Sequence, residues 1–294
     1  MPISQSDHTY ASRPEGDQLL TVHRDTTVPV TAVLLYFHGG GWRGGSRDVG
    51  NVATRLVPLT ASGIVVVSAD YRLTGDAVYP AQLADAGDAL EWVAAEFPDA
   101  PLFVSGASAG GHLAALVGLG AWERLTGRPH RRPASGVVTY ALVADPLQWD
   151  AERLQAPRPV PGTFAHWSYQ RTGQWPPGGL GRALLAGADT AVSPVVHTHV
   201  DTGAAPFFII HGDRDTCVSY TESVQLFDTL SSRDGTAYLL EIAGADHEDP
   251  AFDEPVVRGA IAAFIGQFSP AAGSAADSLT HDEPLTQEEA PAHV

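Results

Sequence analysis

The chain has 294 residues and a formal charge of −17, from 34 acidic and 17 basic residues. Every basic residue is arginine, which excludes a lysine Schiff base or a P-loop lysine, and the acidic balance argues against nucleic acid as a partner. The single cysteine, Cys217, excludes an internal disulfide and fits a reducing compartment.

No apolar run approaches the roughly 18 residues of a membrane span, so no membrane partner is expected. The opening MPISQSDHTY has neither the basic nor the apolar segment of a signal peptide. A cytoplasmic location is therefore expected. The length suits one large α/β domain or two small ones.

Taken in order, "DQLLTVHRD" reads as an antiparallel edge strand. Apolar or β-branched runs then predict strands over Ala32–Phe37, Ile64–Ala69, Leu102–Ser105, Gly136–Leu142, Phe207–His211 and Tyr238–Ile242. Helical patterns fall between them, over Ala81–Glu96, His112–Leu125, Tyr220–Ser232 and Asp253–Phe268. Such alternation implies a mostly parallel sheet covered by helices on both faces. Residues 145 to 181 carry six prolines with Trp149, Phe164, Trp167, Tyr169 and Trp175, so they cannot form one long helix and are too aromatic for a solvated linker. They are expected to fold over something. Residues 270 to 294 are small, polar and acidic, which predicts a disordered tail after a body spanning residues 1–269.

The stretch "VSGASAGGHLAAL" places Ser108 between a strand and a helix, in a Gly-x-Ser-x-Gly pattern. A serine on so tight a turn needs small neighbours, and the turn aims the next helix's free N–H groups at the reacting carbon. A nucleophilic serine needs a base, and the base an orienting acid, in the chain order Ser, Asp or Glu, His. His247, past the last strand, is the candidate base. Asp213 and Asp215 both lie in the loop after Phe207–His211. The first carboxylate after a turn often caps local backbone, which favours Asp215.

Donors for an oxyanion are sought in "HGGGW", where Gly40 and Gly41 let backbone N–H groups approach an oxygen, together with the N–H of Ala109. A phosphate cradle fails on context, since no lysine follows. His197 and His199 have metal-ligand spacing but no partner set, so a surface loop is the simpler reading and no metal is expected. His112 is read as a packing residue, and Cys217 as a small buried side chain near the acid.

As a set, "HGGGW" (38 to 42), "ADYRL" (69 to 73), "YPAQLADAGDAL" (79 to 90), "GASAGGHLAAL" (106 to 116), "SPVVH" (193 to 197), "HGDRDTCV" (211 to 218) and "GADH" (244 to 247) resemble the α/β-hydrolase superfamily. Within it the chain is similar to HGGG-type esterases related to hormone-sensitive lipase, and most to their compact bacterial feruloyl-esterase-like and kynurenine-formamidase-like branch. The family pattern H-G-x-x-D-x-x-V falls on His211, Gly212, Asp215 and Val218, which implies Asp215 as the acid. The resemblance also implies Gly40, Gly41 and Ala109 as the oxyanion hole. Ala107 stands where many relatives carry an acid, and Ser219 where many carry proline; neither removes a group from the chemistry. Only 37 residues precede His38, so a lid is expected mainly from residues 145 to 190.

The expected activity is carboxylic ester hydrolysis without a cofactor, on a small-molecule ester or amide, with a homodimer left open. Trp42, Trp149, Phe164, Trp167 and Trp175 are the expected substrate-binding residues, and their flat apolar faces suit an aromatic or bulky hydrophobic group. Formamide hydrolysis fits "HGGGW" equally. Acyl transfer or cyclisation would use the same acyl-enzyme, and a catalytically silent binding protein is the remaining class.

Overall fold

A computed structural model describes residues 3–155, 159–173, 179–187 and 191–269. Its centre is an eight-stranded sheet: β1 (Ile3–Arg13), β2 (Gly16–Asp25), β3 (Ala32–Phe37), β4 (Ile64–Ala69), β5 (Leu102–Ala107), β6 (Gly136–Tyr140), β7 (Phe207–Gly212) and β8 (Ala237–Ile242). The spatial order is β1-β2-β4-β3-β5-β6-β7-β8. β1 and β2 pair antiparallel, as do β2 and β4, and every other pairing is parallel.

The strands β3, β4 and β5 are buried along their whole length, because both sheet faces are covered. Their alternate residues feed two separate cores. Val33, Leu35 and Phe37 face a layer containing α1 (Ala81–Glu96), α2 (Ala109–Gly118), α3 (Ala121–Thr126) and α7 (Tyr220–Ser231). Ala32, Leu34 and Tyr36 face Val52, Leu56 and Leu59, together with Ile261 and Phe264 of α8 (Pro255–Gln267). Three further helices, α4 (Pro146–Gln155), α5 (Phe164–Thr172) and α6 (Leu180–Leu185), occupy the proline-rich insertion.

Three expectations need correction. One edge of the sheet is β1, not the "DQLLTVHRD" strand, which lies one place inward between β1 and β4; the other edge is β8. β1 reads Ile-Ser-Gln-Ser-Asp-His-Thr-Tyr-Ala-Ser-Arg and is largely exposed, so no apolar run announces it. The helix expected over His112–Leu125 is two helices, broken where Gly120 adopts the left-handed φ of 75°. His197 and His199 lie in a 3₁₀ turn (Val196–His199) rather than an open loop. There His199 is buried and donates from Nε2 to Ser193 O at 2.8 Å. Among the described residues no group of three or more His, Cys, Asp or Glu could hold a metal ion. No helix among them is long and apolar enough to cross a membrane. The expected acidic tail, residues 270 to 294, and Trp175 lie outside the described residues.

β3 pairs with β4 on one side and β5 on the other, so the chain changes direction of winding between β3 and β5. In an open parallel sheet, ligands bind outside the strand C-termini at such a reversal. The glycine loop leaves β3 at that point, and Ser108 leaves β5 beside it.

Candidate active site

Ser108 sits at φ 54°, ψ −119°, between β5 and the first residue of α2. That is a costly conformation for a residue with a side chain, and the surroundings hold it in place. Its N–H donates to Tyr140 O (2.8 Å) at the end of β6, and its carbonyl accepts from His112 N (3.1 Å). The small neighbours are demanded by close backbone approach. A Cβ on Gly106 would lie 2.2 Å from Gly110 O, and one on Gly110 would lie 2.0 Å from Phe37 O.

The glycine loop is set by Gly40 at φ 118° and Gly41 at φ 61°. Arg43 N and Gly44 N both donate to Gly40 O, at 3.2 and 3.1 Å, closing the turn. Among the described residues, the N–H groups of Gly40 and Gly41 donate to nothing. His38 props this loop from behind. Its Nδ1 donates to Gly39 O at 2.7 Å, its ring stacks on Tyr71, and its own carbonyl accepts from the Tyr71 hydroxyl.

Behind His247, Asp215 Oδ2 accepts from His247 Nδ1 at 2.7 Å and lies 3.1 Å from His211 Nε2. Its Oδ1 accepts from Cys217 N and Val218 N, at 2.7 and 2.8 Å. Burial alone would raise this carboxyl's pKa. The charges and hydrogen bonds of His247 and His211 outweigh it and hold Asp215 well below the usual carboxylate range. Burial would likewise lower His247, but the Asp215 charge and hydrogen bond raise it above the ordinary histidine value. With Nδ1 donating to Asp215, Nε2 is the basic nitrogen. Asp213 turns away and accepts from Gly244 N at 2.6 Å, a local backbone cap.

Ser108, His247, Gly40 and Gly41 line one cavity of about 610 Å³. Trp149, Phe164 and Trp167 line it too. Trp149 donates from Nε1 to Cys217 O at 2.8 Å, which ties α4 to the Asp215 loop. Phe164 meets His247 edge-on at 4.8 Å between ring centres. Trp167 is half exposed at the rim. Trp42 does not line the cavity. It is fully buried and packs edge-on against Trp149 and His112, because its left-handed backbone (φ 56°) turns the ring into the core. His112, also fully buried, donates from Nε2 to Pro194 O, and burial lowers its pKa to about 4. Tyr169 is exposed and outside the cavity lining.

Sequence reasoning missed several lining residues: Arg43, Gly44, Arg153, Ala165, Ser168, Arg171 and Leu180. It also missed Asp246, whose carboxylate accepts from Phe164 N (2.6 Å), Thr216 N (2.8 Å) and His247 N (2.7 Å). One side chain therefore joins the start of α5 to the loops carrying Asp215 and His247. The only sequence signal for it is an acid immediately before the candidate base. Cys217 lines the cavity, and burial with the nearby Asp215 charge pushes its thiol up to about 12. It is therefore a packing group rather than a nucleophile.

Residues 20–230 match the BD-FAE family. Esterase LipC of Mycobacterium tuberculosis is 31% identical over 267 residues, covering 85% of this chain and 62% of LipC. Carboxylesterase NlhH of the same organism is 42% identical over 90 residues, covering 29% of this chain and 28% of NlhH. The chain thus spans less than two thirds of the length of these curated relatives. Among solved structures, esterase LipW of Mycobacterium marinum superposes with a TM-score of 0.68 at 24% identity, covering 90% of this chain and 80% of LipW. The propionate-bound esterase of Thermogutta terrifontis superposes with a TM-score of 0.64 at 20% identity, covering 90% and 92%. With the strand order and the β5–α2 elbow, these matches place the sheet in the α/β-hydrolase fold. The chain belongs to the BD-FAE family of α/β-hydrolases.

Proposed function

We propose that the chain is a serine carboxylic ester hydrolase. The observation that carries this reading is that Ser108 and His247 line one cavity, with Asp215 2.7 Å behind His247 on its far nitrogen. The esterase names of the relatives support it. In this reading Ser108 Oγ attacks the acyl carbon as His247 Nε2 takes the hydroxyl proton, and Asp215 stabilises the resulting imidazolium. The carbonyl oxygen gains negative charge and is held by the N–H groups of Gly40, Gly41 and Ala109. The tetrahedral centre collapses, the C–O bond to the alcohol breaks, and His247 returns its proton to the leaving oxygen. Water, deprotonated by His247, then attacks the acyl-enzyme, and Ser108 leaves with that proton.

The aromatic rings of Trp149, Phe164 and Trp167 favour aryl esters with small to medium acyl groups. The test is to label the chain with a fluorophosphonate, then compare kcat/KM for phenyl acetate, phenyl butyrate and N-formylkynurenine. Label on Ser108 with efficient turnover of the phenyl esters is expected. A large preference for N-formylkynurenine would make the chain a formamide hydrolase. Absence of label and turnover would remove the hydrolase reading altogether.

A further inference from the structure

The charge of the cavity runs against that of the chain. The sequence holds twice as many acidic as basic residues, 34 against 17. Yet the described lining contains three arginines, Arg43, Arg153 and Arg171, and no aspartate or glutamate. They come from three separate segments: the glycine loop, α4 and α5. The carboxylates closest in sequence to the site are engaged elsewhere. Asp215 is taken by His247 and His211, Asp246 by backbone N–H groups, and Glu248 by Arg55 and Asn51.

Each arginine is held differently. Arg153 is buried on α4, and its guanidinium donates to Thr216 O, which keeps a positive charge beside the Asp215 loop. Arg171 stacks over Trp167, with the guanidinium carbon 4.9 Å from the ring centre. Stacking occupies the flat face and leaves the N–H edge free to bind. Arg43 is exposed directly after the glycine loop. Neither Arg43 nor Arg171 pairs with a carboxylate among the described residues. Two guanidinium groups with no carboxylate partner among the described residues, at the mouth of a cavity with aromatic walls, suit bidentate capture of an anion, and the cleft focuses their field.

We propose that the substrate carries an anionic group, a carboxylate in its simplest form, which Arg43 and Arg171 hold while Ser108 engages the carbonyl. The inference rests on the serine hydrolase reading and adds to it the substrate's charge.

The probes are two pairs of esters. Phenyl acetate against 3-acetoxybenzoate places the carboxylate on the leaving half. 4-Nitrophenyl valerate against 4-nitrophenyl hemiglutarate places it on the acyl half at matched chain length. At least one anionic member should show kcat/KM about tenfold or more above its neutral partner, since hydrogen bonds to charged groups carry that much discrimination. The advantage should shrink in high salt. Which pair responds identifies the half that carries the charge. The double variant Arg43→Gln/Arg171→Gln should abolish the preference by raising KM for the anionic ester. Arg233→Gln, an exposed change beyond the end of α7, should keep it. Benzoate, and not benzamide, should slow phosphonate labelling of Ser108, a readout that needs no turnover. Equal rates in both pairs, with phenyl acetate turned over and no protection by benzoate, would overturn the inference and leave the hydrolase reading standing. Neither label nor turnover would remove both.

Discussion

Gly106 and Gly110 flank Ser108 where a methyl group would meet backbone oxygen at 2.2 and 2.0 Å, and Ser108 itself is almost fully buried. Across the cavity, Trp167 is half exposed, and α5 joins the loops beneath it through a handful of polar contacts: Phe164 N to Asp246, and Ala165 N to Thr216 Oγ1. The floor is thus locked by backbone contacts inside the sheet core. The α5 part of the roof is hung on side-chain hydrogen bonds that each contribute roughly 1 kcal/mol, whereas α4 and α6 are packed on the core through Trp149 and Leu184. A floor of this kind keeps its chemistry while the roof changes, and a roof of this kind can change what the floor acts on.

The sharpest way to break the floor is through its charge. Asp215→Asn should lower kcat by about 10⁴, because the amide no longer holds His247 with its proton on Nδ1. Asp213→Asn should retain most activity, since Asp213 only caps Gly244. The pH profile gives a second readout. His247 must be neutral to accept a proton, and Asp215 raises its pKa, so the acid limb of kcat/KM should lie above the ordinary histidine value. In Asp215→Asn the stabilising charge is gone, so that limb should move to lower pH. An unmoved limb would mean that another group titrates there.

Steric intrusion separates floor from roof next. Gly110→Ala pushes Cβ into Phe37 O, which is backbone inside the sheet, so a loss of about 3 kcal/mol or more and poor recovery of folded protein are expected. Gly41→Ala meets a flexible side chain, Leu180 from the roof, at 2.6 Å, and adds the modest strain of a side chain at φ 61°. That variant should fold and lose kcat, because the new methyl crowds the proposed oxyanion donors. Urea melts of both variants, with kinetics on phenyl acetate, check the contrast.

The roof is tested at its clasp. Asp246→Asn weakens the contacts from Phe164 N and Thr216 N that hold α5 down. KM for aryl esters should rise several-fold, with a smaller change in kcat and about 1–2 kcal/mol off stability. A fall in kcat alone would show that the clasp serves His247 rather than the roof.

The smallest effect is expected at the junction between the two regions. Glu222 is fully buried and accepts from Ala144 N and Asp145 N, where the chain leaves β6 for α4. Burial holds its carboxyl up at about 7, against a free value of 4.5. A carboxyl raised on folding contributes stability below its unfolded pKa and loses it as pH climbs through the folded one. The melting temperature should therefore fall by a few degrees between about pH 5 and pH 8, and Glu222→Gln should flatten that fall.

This division also explains what could be read in advance. Strands β3 to β7 announce themselves because buried parallel strands are continuous apolar runs, and β8, an edge strand, still carries the apolar run Tyr238–Leu240. The position of Ser108 between β5 and α2 is legible because the turn admits so few residue types. Asp215 over Asp213 is favoured by the habit of the first carboxylate after a turn to cap backbone, and by the family pattern that the resemblance implies. The roof was legible only as something folded. Which face Trp42 presents depends on a left-handed φ that no local pattern encodes. That Arg43, Arg153 and Arg171 converge depends on how α4 and α5 lie over the sheet. β1 escaped for a different reason: an exposed edge strand needs only one neighbour, so polar residues serve as well as apolar ones.

The loop carrying His247 is anchored by the buried Arg55, which binds both Glu248 (3.0 Å) and Asp253 (2.7 Å) and lies over the rings of Tyr140 and Phe252. These contacts join residues nearly two hundred positions apart. Closing a loop over such a separation costs more chain entropy than forming the turn between β5 and α2 around Ser108. On a ribosome the turn between β5 and α2 can be built from residues 33 to 140, whereas His247, the proposed base, takes its place only once the segment through Asp253 has emerged. The order of synthesis thus leaves Ser108 without its proposed base until the segment carrying His247 has joined the fold.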